Sequence, residues 1–261
     1  MPVIDRGTHR LHWEDAGSGT PVLLVMGAAY SSRMWWPSLP ALSASHRVLT
    51  FDNRGTGGST STKVASISDM AADARAVLDE AGVDAAHVYG VSLGGVVVQQ
   101  LALESPERVR SLILGCTGIL STDKPRAPRA ANALAYLPRK ALLGRGSYGP
   151  VCPPDRAARN NEVLRGEQGD RVGLIAQQDA LRGYAITAEQ VATLTMPALV
   201  LHGTADKRVK PAWGRELADA LPDSRFISYE GAGHNYPVEV GDRCDEDVLA
   251  FLAEVDARVS P

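Results

Sequence analysis

The chain has 261 residues, of which 44% are hydrophobic and 22% are charged. These fractions are typical of a soluble globular protein and exclude an intrinsically disordered chain. The 27 basic and 30 acidic residues give a formal net charge of −3, so the chain lacks the basic excess of proteins that bind nucleic acid or anionic membranes.

The sequence also bears on location and cofactors. No segment approaches the ~18 consecutive apolar residues of a membrane span, and the first residues lack the basic-then-apolar pattern of a secretory signal. Three scattered cysteines are too few for a disulfide framework or a zinc site. We therefore expect a cytoplasmic protein without metal or cofactor, whose partner is a small-molecule substrate rather than nucleic acid or a membrane. Its oligomeric state stays open.

Short apolar runs bounded by turn residues predict buried strands, and amphipathic segments between them predict helices. An antiparallel edge hairpin is predicted from Leu11–Asp15 and Pro21–Met26, since a Gly-Ser-Gly turn joins them. The alternation of apolar strands and helices predicts an α/β fold, with a mostly parallel central sheet and helices on both faces. The predicted strands are Pro21–Met26, Arg47–Phe51, His87–Val91, Ser111–Gly115, Ala198–His202 and Arg225–Tyr229, and the predicted helices are Ile67–Ala81, Leu93–Leu103, Trp213–Ala220 and Glu246–Val255.

Residues 123–190 break this rhythm, because they contain no strand-like run. Structureless loops of that length are uncommon, so the interval predicts a small helical cap, with helices at Arg156–Arg165 and Arg171–Gly183, inserted into a core of residues 1–122 and 191–261. The interval holds 11 basic and 7 acidic residues, a local net charge of 11 − 7 = +4. A solvated face explains this charge, and a preference for anionic substrates is the alternative.

The segment Gly90-Val91-Ser92-Leu93-Gly94 follows a predicted strand and opens a predicted helix. A G-x-S-x-G segment in this context is typical of a nucleophile elbow, because a tight turn that exposes the serine hydroxyl needs neighbours without side chains. The helix start offers free N–H groups and partial positive charge to an oxyanion. Taken alone, the segment also fits a serine in a tight turn without chemistry.

Two further positions support a catalytic Ser92. A serine hydroxyl needs a base to take its proton, and the base needs a carboxylate that orients it. Asp206 follows one predicted strand and His234 follows the next, so both are expected at the same edge of the parallel sheet as Ser92. The order Ser, Asp, His is the one that accompanies such an elbow. We predict Ser92 as nucleophile, His234 as base and Asp206 as its orienting acid.

An oxyanion hole needs a second donor besides the N–H of the residue after the nucleophile, here Leu93. The segment Met26-Gly27-Ala28-Ala29 follows the first predicted parallel strand and forms a turn of small residues. The backbone N–H of Ala28 is therefore the predicted second donor.

The segments VMGAA, FDNRGTGGS, YGVSLGG, LVLHGTAD and GAGHNYP together resemble the α/β-hydrolase fold superfamily over nearly the whole chain. Their order and spacing are similar to small capped esterases of the aclacinomycin methylesterase type and to cofactor-free haloperoxidase-like hydrolases. The resemblance implies the same roles for Ser92, His234, Asp206 and the N–H groups of Ala28 and Leu93. Met26 stands where many members have histidine, and the methylesterase type also has methionine there.

Other residues are assigned from position. Asp52 and Arg54 are predicted to brace a loop near the pocket. Six residues, three after the oxyanion segment and three in the predicted cap, are the candidate substrate contacts. They are Tyr30, Met34, Trp35, Tyr136, Leu143 and Tyr148.

The leading hypothesis is a serine hydrolase that cleaves a carboxylic ester or lactone of a small, fairly apolar molecule through an acyl-enzyme. Because a fold does not determine a reaction, the same residues also fit C–C bond hydrolysis, amide cleavage, perhydrolysis, or a non-hydrolytic cyclisation or acyl transfer. A small-molecule sensor that retains the three residues is the alternative from another class of function.

Overall fold

The computed structural model describes residues 2–60, 65–121, 147–166 and 171–259. Within these ranges, eight strands form one sheet in the order β1-β2-β4-β3-β5-β6-β7-β8. The strands are β1 (Val3–Asp5), β2 (Arg10–Gly17), β3 (Pro21–Val25), β4 (Arg47–Phe51), β5 (Ala86–Val91), β6 (Val109–Gly115), β7 (Ala198–Gly203) and β8 (Ser224–Tyr229). The six predicted strands are confirmed, with ends within two residues of those expected.

The predicted edge hairpin is wrong in its pairing. Strand β2 pairs antiparallel with β4 and with the edge strand β1, whereas β3 lies parallel between β4 and β5. Burial explains the difference, because β3 is apolar on both faces while β2 is half exposed. Gly17 and Gly19, at φ 78° and 112°, form a turn that packs closely against the segment before β4. A Cβ on Gly17 would lie 2.3 Å from the His46 carbonyl oxygen.

The six predicted helices are present, although the last one begins at Tyr236, ten residues earlier than expected, and the short helices Leu39–Ser43 and Ala188–Val191 were not predicted. Helix α2 begins at a capping box, in which Ser66 Oγ accepts the Asp69 N–H at 3.0 Å and Asp69 Oδ2 accepts the Ser66 N–H at 2.8 Å. The last helix is kinked at Gly241, with φ 21°. The helices are α1 (Leu39–Ser43), α2 (Ile67–Glu80), α3 (Leu93–Glu104), α4 (Pro154–Arg165), α5 (Arg171–Gly183), α6 (Ala188–Val191), α7 (Pro211–Ala220) and α8 (Tyr236–Val259), with short 3-10 turns at Ser32–Trp35 and Pro106–Arg108.

Both faces of the sheet are buried, which gives the core two halves. Alternate residues such as Leu23 and Val25 pack on one face with α2, α3 and α7, and Val22 and Leu24 pack on the other with α1, α4 and α8. Each fully buried side chain of this kind contributes about 1.5–3 kcal/mol. This core holds the carboxyl ends of the parallel strands in place. None of the helices in the described ranges has both the length and the apolar character needed to cross a membrane.

Candidate active site

Ser92 lies in the turn between β5 and α3 with φ 57° and ψ −117°, a conformation that non-glycine residues seldom adopt. Its N–H donates to the Gly115 carbonyl oxygen at 2.8 Å. The flanking glycines are required by close backbone contact. A Cβ on Gly90 would lie 2.3 Å from the Gly94 oxygen, and one on Gly94 would lie 2.0 Å from the Val25 oxygen. The predicted turn is therefore present, and it presents a half-buried serine at the sheet edge.

Asp206 and His234 form a buried pair in the loops after β7 and β8. His234 Nδ1 lies 2.8 Å from Asp206 Oδ2, and the two residues are 9% and 6% exposed. Because an ionised carboxylate only accepts, Nδ1 donates and Nε2 is left as the basic nitrogen. Asp206 Oδ1 accepts the N–H groups of Arg208 at 2.7 Å and Val209 at 3.0 Å. Burial alone would raise the pKa of Asp206, but hydrogen bonds from His202 and His234 outweigh it and hold that pKa well below its ordinary value.

His202 is a site residue that the sequence reasoning missed. It is fully buried, and its Nε2 lies 3.3 Å from Asp206 Oδ2 and 3.1 Å from the Val209 carbonyl oxygen. Since both neighbours are acceptors, Nε2 donates to them. Its place in β7, four residues before Asp206, is the signal that points to this contact.

Hydrogen bonds at the end of β6 connect the Ser92 backbone to the loop of His234. Gly115 accepts the Ser92 N–H, and the next residue, Cys116, donates its thiol to the His234 carbonyl oxygen at 3.1 Å. No hydrogen bond joins Ser92 Oγ to the His234 ring among the residues that the structure describes, a looseness that is common in such pairs before substrate binds. The structure thus brings Asp206 and His234 into direct contact and connects Ser92 to the His234 loop through Gly115 and Cys116.

The donor atoms of Cys116, Asp206 and His234 lie within 4.8 Å of one another, which is close enough to hold a metal ion. Burial first, and the Asp206 charge second, raises the pKa of the Cys116 thiol well above its ordinary value. A metal ligand must be a thiolate, whereas this thiol stays protonated and donates to a carbonyl. The cluster therefore suits hydrogen bonding between the strand end and the His234 loop.

The two predicted oxyanion donors are accessible by their local geometry. Gly27 packs directly on Ser92, since a Cβ built there would lie 3.3 Å from Ser92 Cβ and 3.9 Å from Ser92 Oγ. Leu93 is the first residue of α3, where an N–H has no acceptor within the helix. Within the described ranges, the N–H groups of Ala28 and Leu93 donate to no protein group.

Glu239 is a second residue that the sequence reasoning missed. This buried carboxylate accepts the Gly149 N–H at 2.7 Å and the Gly233 N–H at 3.0 Å, so it joins the loop of His234 to the predicted cap. Burial raises the pKa of Glu239, although both backbone hydrogen bonds oppose the change. Its position in the first turn of α8 gives no sequence signal, because an amphipathic helix start commonly carries an acid.

The candidate substrate contacts fall into three groups. Trp35 is 1% exposed and packs on Tyr89 with ring centroids 4.8 Å apart, and Met34 is 6% exposed in the same core cluster. Both side chains therefore pack in the core, and their predicted contact with a substrate stays a prediction. Tyr30 is half buried beside this cluster. Tyr148 is half buried, and its hydroxyl accepts from Asn160 Nδ2 at 2.7 Å. Tyr136 and Leu143 lie outside the described residues.

Asp52 and Arg54 brace the loop after β4, as predicted. Asp52 Oδ1 accepts the Ser32 N–H at 2.7 Å and Oδ2 accepts the Gly58 N–H at 2.8 Å. Arg54 Nε donates to Asp73 Oδ2 at 2.7 Å in a buried ion pair. These contacts connect the loop to the segment that carries Ala28 and to α2.

The fold and the site define a member of a hydrolase family. Residues 20–239 match the sequence profile described as alpha/beta hydrolase fold, so the chain belongs to that family. The methylesterase-type resemblance is confirmed by rhodomycin D methylesterase DauP of Streptomyces sp. strain C5, which is 29% identical over 84% of this chain and 86% of its own length.

Two further similarities extend the range of named activities. RutD of Azorhizobium caulinodans, named as a candidate carbamate hydrolase, is 31% identical over 98% of this chain and 100% of its own length. The enol-lactonase of Burkholderia xenovorans LB400 superposes with a TM-score of 0.81 at 28% identity, over 97% of this chain and 100% of that one. Members of the family thus include proteins named for acting on esters, lactones and carbamates.

Proposed function

We propose that the chain is a serine hydrolase that cleaves a carboxylic ester or lactone of a small, fairly apolar molecule through an acyl-enzyme on Ser92. One observation carries the proposal. The Asp206–His234 pair, 2.8 Å apart, lies at the same sheet edge as a serine held at φ 57°. An imidazole oriented by a buried carboxylate is the arrangement that activates a serine hydroxyl.

The mechanism follows from these atoms. Ser92 Oγ attacks the substrate carbonyl carbon while His234 Nε2 takes the hydroxyl proton. Asp206 keeps Nδ1 protonated and stabilises the imidazolium that forms. The oxyanion is stabilised by the N–H groups of Ala28 and Leu93. The C–O bond then breaks as His234 protonates the leaving oxygen. Water attacks the acyl-enzyme, gives a proton to His234, and the acid leaves as Ser92 regains that proton.

Three of the relatives are named for substrates of acyl transfer, beside a relative named for bromoperoxidase activity. A methyl ester, an enol lactone and a carbamate each present a carbonyl carbon with a heteroatom leaving group. One oxyanion hole and one residue that acts as acid and base suffice for all three kinds of substrate. The ester or lactone assignment is therefore preferred to C–C cleavage, perhydrolysis or cyclisation, and a carbamate belongs in the substrate panel.

We further propose that residues 123–190 form a cap over this site. Its described parts contact the segments next to Asp206, His234 and Ala28. Arg208 Nε donates to Ser147 Oγ at 3.0 Å beside Asp206, and the Gly149 N–H donates to Glu239 behind His234. Gln177 Oε1 accepts the Ala29 N–H beside Ala28 at 2.9 Å. These contacts support a cap whose shape selects the substrate.

The test is covalent labelling with a fluorophosphonate, together with hydrolysis of p-nitrophenyl esters, a lactone and a phenyl carbamate. We expect stoichiometric labelling at Ser92, and loss of both labelling and turnover in Ser92→Ala. The matched control is Ser68→Ala, since Ser68 is exposed on α2. Tight binding of a panel compound without turnover, unchanged in Ser92→Ala, would instead identify a sensor.

A further inference from the structure

Helix α5 inserts a buried amide between two loops of the core. Gln177 is fully buried, and both ends of its side chain are hydrogen-bonded. Its Oε1 accepts the Ala29 N–H at 2.9 Å, and its Nε2 donates to the Arg54 carbonyl oxygen at 2.9 Å. One side chain from the proposed cap thus fixes the loop after β3 and the loop after β4 relative to each other.

A close backbone contact sets the position of this helix. A Cβ on Gly173 would lie 2.4 Å from Gly55 Cα, and one on Gly55 would lie 2.3 Å from Gly173 Cα. The first turn of α5 therefore rests directly on the loop that contains Arg54. This contact brings Gln177, one turn further along, within hydrogen-bond distance of Ala29.

The Gln177 contact falls on a strained turn. The Tyr30 N–H donates to the Gly27 oxygen at 3.4 Å and closes a turn whose third residue, Ala29, has φ 70°. A positive φ at that position is ordinary for glycine but unfavourable for alanine. A hydrogen bond to the N–H of the strained residue stabilises this conformation against relaxation.

This turn also sets the direction of the proposed oxyanion donor, the Ala28 N–H. In a trans peptide the C=O and the following N–H point in opposite directions. Since the Gly27 oxygen faces into the turn toward Tyr30, the Ala28 N–H faces out of it. If Ala29 relaxed to negative φ, the Ala28–Ala29 peptide would rotate away from Gln177 and the turn would change its type. The backbone on both sides of that peptide would shift, and the Ala28 N–H lies directly before it.

We propose that Gln177 is a positioning residue that holds the Ala28 N–H in place to receive the oxyanion. This inference rests on the proposed function. An oxyanion contact is made in the transition state rather than in the bound substrate, so its loss lowers kcat and leaves KM nearly unchanged. Loss of one oxyanion donor typically costs about 10²–10³-fold in kcat, which sets the upper limit of the effect.

The experiment compares Gln177→Met, which keeps the side-chain length but removes both hydrogen bonds, with wild type. We expect kcat to fall by about 10²-fold with KM changed by less than about twofold. The affinity for an aryl trifluoromethyl ketone, whose adduct with Ser92 carries an oxyanion, should fall by the same factor as kcat. The neighbouring half-buried Gln178, changed to Met, is the matched control and should leave all three values unchanged.

A second variant separates positioning from general packing. Glycine adopts φ 70° without strain, so the turn in Ala29→Gly needs less support. Gln177→Met should therefore lose at least tenfold less kcat in the Ala29→Gly background, an interaction that simple destabilisation would not produce. If the Gln177→Met single variant folds poorly, the same substitution can still be measured in the Ala29→Gly background, because glycine relieves the strained turn.

The outcomes separate the two proposals. An active wild type with kcat unchanged in Gln177→Met, or equal losses in both backgrounds, would overturn the positioning role alone. Absence of labelling and turnover in wild type would overturn the proposed function, and the positioning role with it.

Discussion

Asp245 lies in α8 and is only 6% exposed. Burial, aided by the nearby Asp242 charge, raises its pKa to about 6, against the opposing effects of Ser38 and Arg156. We predict that Asp245→Asn stabilises the protein at neutral pH, because asparagine has nearly the same shape and cannot ionise.

The magnitude follows from the two pKa values. Between the ordinary value of 3.8 and about 6, the folded protein holds a proton that the unfolded chain has released. Stability therefore falls as pH rises through this window. At 1.36 kcal/mol per pKa unit, the full loss is about 3 kcal/mol, complete above pH ~7. Asparagine removes this loss, so the advantage of the variant should be small near pH 4 and approach about 3 kcal/mol at pH 8.

The assay is urea denaturation of both proteins, followed by circular dichroism from pH 4 to pH 8. The difference between the two unfolding free energies isolates this carboxyl, since the other titrating groups are shared. The control is Glu246→Gln, which removes the same charge from the same helix at an exposed side chain. It should change stability by less than about 0.5 kcal/mol at any pH. An Asp245→Asn difference that does not grow with pH would refute the reasoning.

Three further outcomes follow from the described contacts. Asp73→Ala should lower the unfolding free energy by about 3–5 kcal/mol in urea denaturation, because it leaves the buried Arg54 guanidinium without its carboxylate; a loss under 1 kcal/mol would contradict this. Gly94→Ala should abolish ester hydrolysis and cost at least about 1–3 kcal/mol, since the added Cβ would lie 2.0 Å from the Val25 oxygen; an active, stable variant would exclude the close contact. His234→Gln should abolish ester hydrolysis, because it removes the imidazole that Asp206 orients, and an active variant would argue against His234 as base.

The sheet and the elbow were predictable because their signals are local. Strands such as Pro21–Val25 and Ala198–Gly203 are continuous apolar runs, and burial on both faces leaves few other placements for them. The glycines around Ser92 form a local sequence motif, in which Gly90 lies against Gly94 within the same turn. The positions of Asp206 and His234 followed from strand ends alone, since parallel strands share their carboxyl edge.

The remaining features depend on contacts between distant parts of the chain. Strand β2 pairs with β4 rather than with its sequence neighbour β3, and a turn motif carries no information about a later strand. The packing of Trp35 on Tyr89, 54 positions further along the chain, has no signal in the local sequence. Gln177 contacts Ala29 across 148 positions, and nothing distinguishes it in sequence from Gln178 beside it.

Backbone strain is concentrated at the site. Across the described ranges, the non-glycine residues with positive φ are Ala29, Ser92 and Cys116, which follow the adjacent strands β3, β5 and β6. Each such residue costs about 1–3 kcal/mol, and each is held by a contact from another element. The Gln177 side chain holds Ala29, the Gly115 carbonyl holds Ser92, and the Leu201 and His234 carbonyls hold Cys116. Because these partners come from the proposed cap, β6, β7 and the His234 loop, the strained turns exist only when those elements are packed together. The geometry proposed for catalysis is therefore coupled to the assembly of the core and the cap.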